Sequence, residues 1–233
     1  DMGSGVWTFD GAGTQTLNSN GTSFINITHS GAGTLQLLSF LTVTGNLTLS
    51  AGVFYLNGTG ITMTGASFSN NATFQLNGTE SITGLVQDTN TGTWNYVGDG
   101  DGSFNTYLLK DFGATDYFNL SLGNIAGVID QFTNNTDMVV AGDLTLSGPD
   151  LLMSQLGGNN FAVAGITTVN ANSDLRTPQT AIFTTQSLVI NNIGSVNVYI
   201  NSTLRLTGTG TPLSGVGTLT TSSAGNTVEY TGT

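Results

Sequence analysis

Acidic residues are the only group in this chain that gathers in a way chemistry could use. Gly98-Asp99-Gly100-Asp101-Gly102 is followed by Asp111 and Asp116. Calcium takes about six to eight oxygens from carboxylates and carbonyls on glycine-containing loops. Asp99 and Asp101 are therefore the candidate ligands. The spacing does not continue as an EF-hand, because the twelfth position from Asp99 is Lys110 where a bidentate Glu is needed. Two carboxyls about 5–9.5 Å apart would also suit glycoside hydrolysis. Asp99 with Asp101, or Asp111 with Asp116, can reach that separation, as can most acidic loops. A solvated acidic turn accounts for the cluster more simply.

The partners that such acids would need are scarce. His29 is the single histidine and so the one possible base for a Ser-His-Asp triad. It follows a strand-like run in His29-Ser30-Gly31 and reads as a turn residue. One His without any Cys makes a poor zinc site, which needs several N or S ligands. Asn135-Thr136-Asp137 is similar to a tripeptide of polygalacturonases, but the paired Asp-Asp, Gly-His-Gly and Arg-x-Lys that act with it there are missing. The basic residues are Lys110, Arg176 and Arg205, against fourteen acids, for a net charge of −11. Three cations are too few for a lyase, for a phosphate backbone or for an anionic membrane surface. We expect no catalytic residues, no cofactor, no nucleic-acid partner and no membrane insertion.

Two further sets of residues invite binding. Trp7, Trp94 and Tyr96 would suit sugar stacking, although their recurrence at matching positions favours packing. Nine Asn-x-Ser/Thr sequons are glycosylation candidates: Asn20, Asn26, Asn46, Asn57, Asn71, Asn77, Asn119, Asn134 and Asn201. A chain this rich in Asn, Ser and Thr generates many sequons by composition alone. Thr42/Thr44 and Thr62/Thr64 form Thr-x-Thr pairs like those of ice-binding solenoids, over two rungs, and strand propensity is enough to explain them.

The elements that would position these residues are short strands. Segments such as Leu47-Thr48-Leu49 and Leu204-Arg205-Leu206-Thr207 alternate apolar and polar residues between Gly or Asn punctuation. No stretch carries helical spacing with good helix formers. Charged residues make up 7% of the chain, against about 25% in an ordinary soluble protein, so Thr, Ser and Asn must wet the surface. Zero Cys leaves the redox compartment open. No apolar run approaches the ~18 residues of a membrane span.

The strands recur. Leu41-Thr42-Val43-Thr44-Gly45 becomes Ile61-Thr62-Met63-Thr64-Gly65, and Phe54-Tyr55-Leu56-Asn57-Gly58-Thr59 becomes Phe74-Gln75-Leu76-Asn77-Gly78-Thr79, twenty positions later. Val140-Ala141-Gly142 returns as Val163-Ala164-Gly165. A repeat this short is one rung of a stacked solenoid. The expected fold is all-β, a right-handed parallel β-solenoid (β-helix) of about ten coils ~4.8 Å apart. Leu41 should stack on Ile61, Val43 on Met63, Phe54 on Phe74, Leu56 on Leu76 and Val140 on Val163. Residues 85–116, richer in Asp, read as an insertion.

A longer echo links Gly5-Val6-Trp7-Thr8-Phe9, Gly92-Thr93-Trp94-Asn95-Tyr96 and Asn226-Thr227-Val228-Glu229-Tyr230. It divides one solenoid domain, 1–233, into super-repeats 1–91 and 92–225 and the start of a third, 226–233. The first residues, Asp1-Met2-Gly3-Ser4, lack the character of a signal peptide, and the chain is expected to be a fragment of a longer repetitive protein. Leu41 through Asn57 and Thr227-Val-Glu-Tyr-Thr-Gly-Thr233 resemble the repeats of large bacterial β-helical cell-surface proteins, of the filamentous-haemagglutinin and autotransporter-passenger kind. The resemblance implies secretion, surface display and adhesion or fibre formation. The expected role is thus an extracellular, non-enzymatic structural or adhesive segment. Its expected partners are further repeats, end to end, and glycans. The alternative is a carbohydrate-active β-helix, hydrolase, lyase or glycan-binding module.

Overall fold

Parallel backbone pairing organises the whole chain. The computed structural model describes residues 5–65, 67–123, 130–148, 152–154, 158–177 and 179–232, without the side chains of 152–154. These residues form parallel strands wound as a β-solenoid of about ten turns, and no helix occurs among them. Among the described residues every strand pairing is parallel and none is a hairpin. The chain divides into two compact units, 1–99 and 100–233.

The first unit contains β1 (Val6–Phe9), β2 (Gln15–Leu17), β3 (Ser23–Phe24), β4 (Asn26–His29), β5 (Thr34–Leu37), β6 (Leu41–Val43), β7 (Leu47–Leu49), β8 (Val53–Tyr55), β9 (Ile61–Met63), β10 (Phe68–Asn70), β11 (Thr73–Leu76), β12 (Ile82–Thr83) and β13 (Thr93–Tyr96). They take three faces, ordered β1-β4-β7-β10, β2-β5-β8-β11-β13 and β3-β6-β9-β12. The coils β3-β4-β5, β6-β7-β8 and β9-β10-β11 each lay one strand on each face. Register partners lie 19 residues apart (Leu35 and Phe54), 20 (Leu41 and Ile61) or 21 (Leu47 and Phe68). Leu41 on Ile61, Val43 on Met63 and Phe54 on Phe74 stack as the repeat predicts, and Leu56 and Leu76 are both buried.

Residues 85–116 are not simply an insertion. Phe74 pairs with Trp94 at the ordinary spacing of 20, so β13 continues the coil. Phe54, Phe74 and Trp94 form an aromatic column with centroid separations of 5.6 and 4.3 Å, and Phe68 meets Phe74 edge-on at 5.5 Å. Such pairs add about 0.5–1.5 kcal/mol beyond the area they bury.

The second unit contains β14 (Thr106–Leu108), β15 (Asn119–Leu122), β16 (Gln131–Thr133), β17 (Met138–Val140), β18 (Leu144–Leu146), β19 (Leu152–Ser154), β20 (Phe161–Val169), β21 (Asp174–Thr177), β22 (Ile182–Ile190), β23 (Ser195–Val198), β24 (Thr203–Leu206), β25 (Leu213–Gly215), β26 (Thr218–Thr220) and β27 (Thr227–Tyr230). One sheet runs β14-β16-β19-β21-β23-β26, and a second carries β15-β18-β20-β22-β24-β27 with β17 beside β20 and β25 beside β22. The nine-residue β20 pairs β17 through its first half and β18 through its second. Between β20 and β22 the register shifts at Val163/Ile166, where the chain turns a corner without leaving extended backbone. Val140 on Val163 stacks as expected.

Inward positions along the ladders are mostly apolar. Two pairs of inner hydroxyls satisfy each other: Thr167 Oγ1 donates to Thr185 Oγ1 at 2.9 Å, and Thr177 and Ser202 hydroxyls lie 2.8 Å apart. The corners rely on left-handed residues. Asn20-Gly21 and Asn57-Gly58 have φ of 48° and 77°, and 53° and 73°. That type I′ geometry usually closes a hairpin, but here it joins strands on different faces. Ile193 has φ 55° and is 62% exposed, an uncommon place for a β-branched residue.

Two stability outcomes follow. Phe74→Ala removes the middle ring of the column and should cost about 3–5 kcal/mol in chemical denaturation, with Thr48→Ala within about 0.5 kcal/mol as the outward-facing, half-buried control. Ile193→Asn should stabilise by about 1 kcal/mol, because Asn tolerates the left-handed region that a β-branched side chain resists; a loss of stability would contradict this.

Candidate functional site

The acids that suggest chemistry in the sequence hold backbone together in the structure. Asp116 is fully buried and accepts N–H groups from Phe112 at 2.8 Å and Val139 at 2.7 Å. Burial pushes its carboxyl above the usual range, opposed by those backbone donors and helped by the nearby Asp111 charge. Asp111 accepts Gly113 N–H, and Asp101 accepts Ser103 N–H at 2.7 Å and Asn105 Nδ2 at 3.3 Å. These are turn-stabilising contacts of the kind Asp makes two residues along its own backbone. Asp99 is exposed. No group of three or more His, Cys, Asp or Glu among the described residues is arranged to hold a metal ion.

The strongest such staple is a residue that sequence reading passed over. Glu80 is buried, with Oε1 accepting Gly58 N–H at 2.9 Å and Asn77 N–H at 2.7 Å, and Oε2 accepting Gly78 N–H at 2.7 Å. One carboxylate thus ties the corner of one coil to the corner of the next. Tyr55 Oη donates to Asn77 Oδ1 at 2.6 Å. Burial, and then the Glu80 charge, raise the Tyr55 phenol above its ordinary pKa. A lone Glu in an acid-poor repeat, two residues after Asn77-Gly78, was the available signal.

Asn and Asp share this duty along a second edge. Asn26 Oδ1 accepts Asn46 N–H at 2.9 Å, and Asn46 Oδ1 accepts Ser67 Oγ–H at 2.7 Å. In the second unit Asn119 Oδ1 accepts Asp143 N–H at 2.9 Å, and Asp143 Oδ1 accepts Ile166 N–H at 2.8 Å. Gly142 and Gly165 precede or follow these contacts because an added Cβ would collide with Asn119 Oδ1 or Asp143 Oδ1. Asp137, of the tripeptide considered above, accepts Asn160 N–H at 2.7 Å in the same manner.

His29 is not in a turn. It ends β4, fully buried, in the inward column Phe9-His29-Leu49-Asn70. Its Nδ1 and Nε2 lie 3.2 Å from the carbonyls of Phe9 and Gly33, so it bridges coils and faces no nucleophile. Trp94 and Tyr96 are buried, with Trp94 Nε1 donating to Gln87 Oε1 at 3.0 Å, whereas Trp7 is 41% exposed and edge-on to Phe24. Trp7 lies on the β1-β4-β7-β10 face and Trp94 on the β2-β5-β8-β11-β13 face.

The sequons divide by exposure. Asn20, Asn46, Asn71 and Asn201 are exposed; Asn26, Asn57 and Asn119 are half-buried; Asn77 and Asn134 are buried. Asn134 Nδ2 donates to Thr136 O at 2.8 Å, a position where a glycan would have to displace core. The outward hydroxyl rows run longer than the Thr-x-Thr pairs suggest. Thr8-Thr28-Thr48-Ser69 and Ser23-Thr42-Thr62-Thr83 are each four rungs in register.

One open groove of about 550 Å³ runs between Ser67–Ser69 and 86–90. β10 is the last strand of its face, and Asp88 Oδ2 takes the Asn70 N–H at 2.9 Å that a further strand would otherwise bind. Val86, 74% exposed, gives the groove an apolar lip. Phe68 adds a second apolar side chain, and the rest of the lining is hydroxyl, carboxamide and the Asp88 carboxylate. No protein-family model, curated protein or solved structure matches the chain.

The Asp116 shift carries a sign. A carboxyl whose folded pKa is raised binds its proton more tightly in the fold, so its contribution is present below the unfolded value and lost as pH rises through the folded one. The stability of the wild type relative to Asp116→Asn should therefore increase as pH falls from about 7 to about 4, measured by urea denaturation at each pH. A difference that is flat or shrinks on acidification would refute the assignment.

Proposed function

We propose that this chain is a non-catalytic structural and adhesive repeat segment of an extracellular protein that is displayed on a cell surface or builds filaments. The observation that supports this most is how the carboxylates are employed. Glu80, Asp116, Asp137 and Asp143 each accept backbone N–H groups across coils, which suits a chain whose task is to keep a regular stack. The resemblance to β-helical cell-surface repeats agrees with this and carries the extracellular location. Further repeats of the same kind are the proposed partners. Among the described residues β1 and β27 each pair on one side only, and a strand with one free edge is a template for another strand. Surface sequons such as Asn46 and Asn71 are the proposed glycan carriers.

A second reading, a carbohydrate-active or glycan-binding module, draws on the groove lined by Ser67, Ser69, Val86, Asp88 and Asn90. Its hydroxyl and amide lining, with the apolar Phe68 and Val86 and the single Asp88 carboxylate, suits a neutral saccharide rather than an anion, since no cation lines it.

One pair of measurements separates the readings. The purified chain incubated with a polysaccharide panel should release no reducing ends above a blank, and sedimentation at moderate salt should show association that rises with protein concentration. Turnover lost in Asp99→Asn/Asp101→Asn would establish the enzymatic reading instead. A chain that stays monomeric at high concentration, where salt has screened the −11 charge, would remove self-association from the proposal.

A further inference from the structure

Three stretches of this chain share one reactive sequence, Asn20-Gly21-Thr22, Asn57-Gly58-Thr59 and Asn77-Gly78-Thr79. In an Asn-Gly pair the glycine nitrogen can attack the Asn side-chain carbonyl, because no Cβ shields it. The N–Cγ bond forms, the glycine N–H proton passes to solvent base, and Cγ–Nδ2 breaks with release of ammonia. Water then opens the resulting succinimide at either carbonyl, leaving Asp or isoaspartate. No oxidant or cofactor is required. Since the three tripeptides are identical, any difference in their rates must come from the fold.

The fold treats them differently. At Asn57-Gly58 and Asn77-Gly78 the attacking N–H is already donated to a carboxylate: Gly58 to Glu80 Oε1 at 2.9 Å and Gly78 to Glu80 Oε2 at 2.7 Å. A charge-assisted bond of that length holds the proton on nitrogen and fixes the peptide plane. The side chains under attack are held too, Asn57 Nδ2 by Leu37 O at 3.3 Å and Asn77 Oδ1 by Tyr55 Oη at 2.6 Å. Asn77 is also buried. At Asn20-Gly21 the residue is exposed, and Gly21 N–H reaches only the neutral Ser19 Oγ at 3.3 Å, beyond the usual hydrogen-bond length. The Asn20 carboxamide makes no hydrogen bond among the described residues.

We infer that Asn20 is the site of spontaneous deamidation in the folded chain, and that Glu80 is the group that withholds Asn57 and Asn77 from the same reaction. The product places one more negative charge at the β2–β3 corner and abolishes the Asn20 sequon, so glycan addition and deamidation compete for one residue.

Peptide mass mapping of the folded chain, aged at neutral and mildly alkaline pH, tests this through the gain of about 1 Da that accompanies exchange of amide for carboxyl. A sample aged in denaturant supplies the intrinsic rates, which should be alike at the three sites. In the folded wild type Asn20 should react while Asn57 and Asn77 lag by about tenfold or more, in proportion to how rarely their corner opens. Glu80→Ala should accelerate Asn57 and Asn77 and leave Asn20 unchanged. Equal rates at all three sites in the folded wild type, or no reaction at Asn20 while the denatured sample reacts, would overturn the site assignment. Glu80→Ala that accelerates nothing, or that accelerates all three sites alike through opening of the whole unit, would overturn the shielding role.

Discussion

Backbone hydrogen bonds between successive coils run parallel, and this constraint governs nearly everything else in the molecule. In a parallel ladder a residue faces its own counterpart one coil away, ~4.8 Å along the stack. Apolar residues profit from that arrangement, as the Phe54-Phe74-Trp94 column shows. Hydroxyls and amides tolerate it, because each can donate and accept. Like charges do not, since directly opposed they repel. The outward columns accordingly read Thr8-Thr28-Thr48-Ser69 and Gln36-Tyr55-Gln75-Asn95. The low charge of the chain is a consequence of its stacking, and the Gly- and Thr-rich composition follows from the same cause. Where charges do occupy adjoining rungs they are opposite, as with Arg205 and Glu229 at 2.7 Å, a surface pair contributing at most about 1 kcal/mol.

Corners are where this regularity is hardest to maintain, because the chain must change direction and leaves N–H groups outside the ladder. A buried N–H without a partner costs about 1–3 kcal/mol, so each corner needs an acceptor. Glu80, Asp116, Asp143, Asn26 and Asn119 supply it. This explains why acids occur at all in a chain that otherwise avoids charge. The same logic places His29 between two carbonyls in the interior, where a ring with two nitrogens can bridge coils that an aliphatic side chain could only pack against.

The repeat in the sequence was enough to pair Leu41 with Ile61, Phe54 with Phe74, and Val140 with Val163, since spacing near 20 together with inward/outward alternation leaves little choice of register. Other features were less legible. Gly5-Val6-Trp7-Thr8-Phe9 and Gly92-Thr93-Trp94-Asn95-Tyr96 are alike in sequence, yet the two segments lie on different faces. Residues 85–116 looked foreign because their outward positions carry Asp, yet the inward Trp94 and Tyr96 keep the coil spacing. Glu80 was invisible as a staple because its partners are backbone groups, which leave no mark on sequence.

Sequence by itself thus determined the all-β character, the parallel stacking, the coil length and the apolar inward columns, because these depend on period and polarity alone. Only the tertiary structure decided which face each strand joins, that His29 turns inward, which acids turn inward to corners, and which two of three identical Asn-Gly-Thr tripeptides are held. Those outcomes depend on the direction the chain takes at each corner, and that direction is set by φ values and by hydrogen bonds between residues about twenty apart.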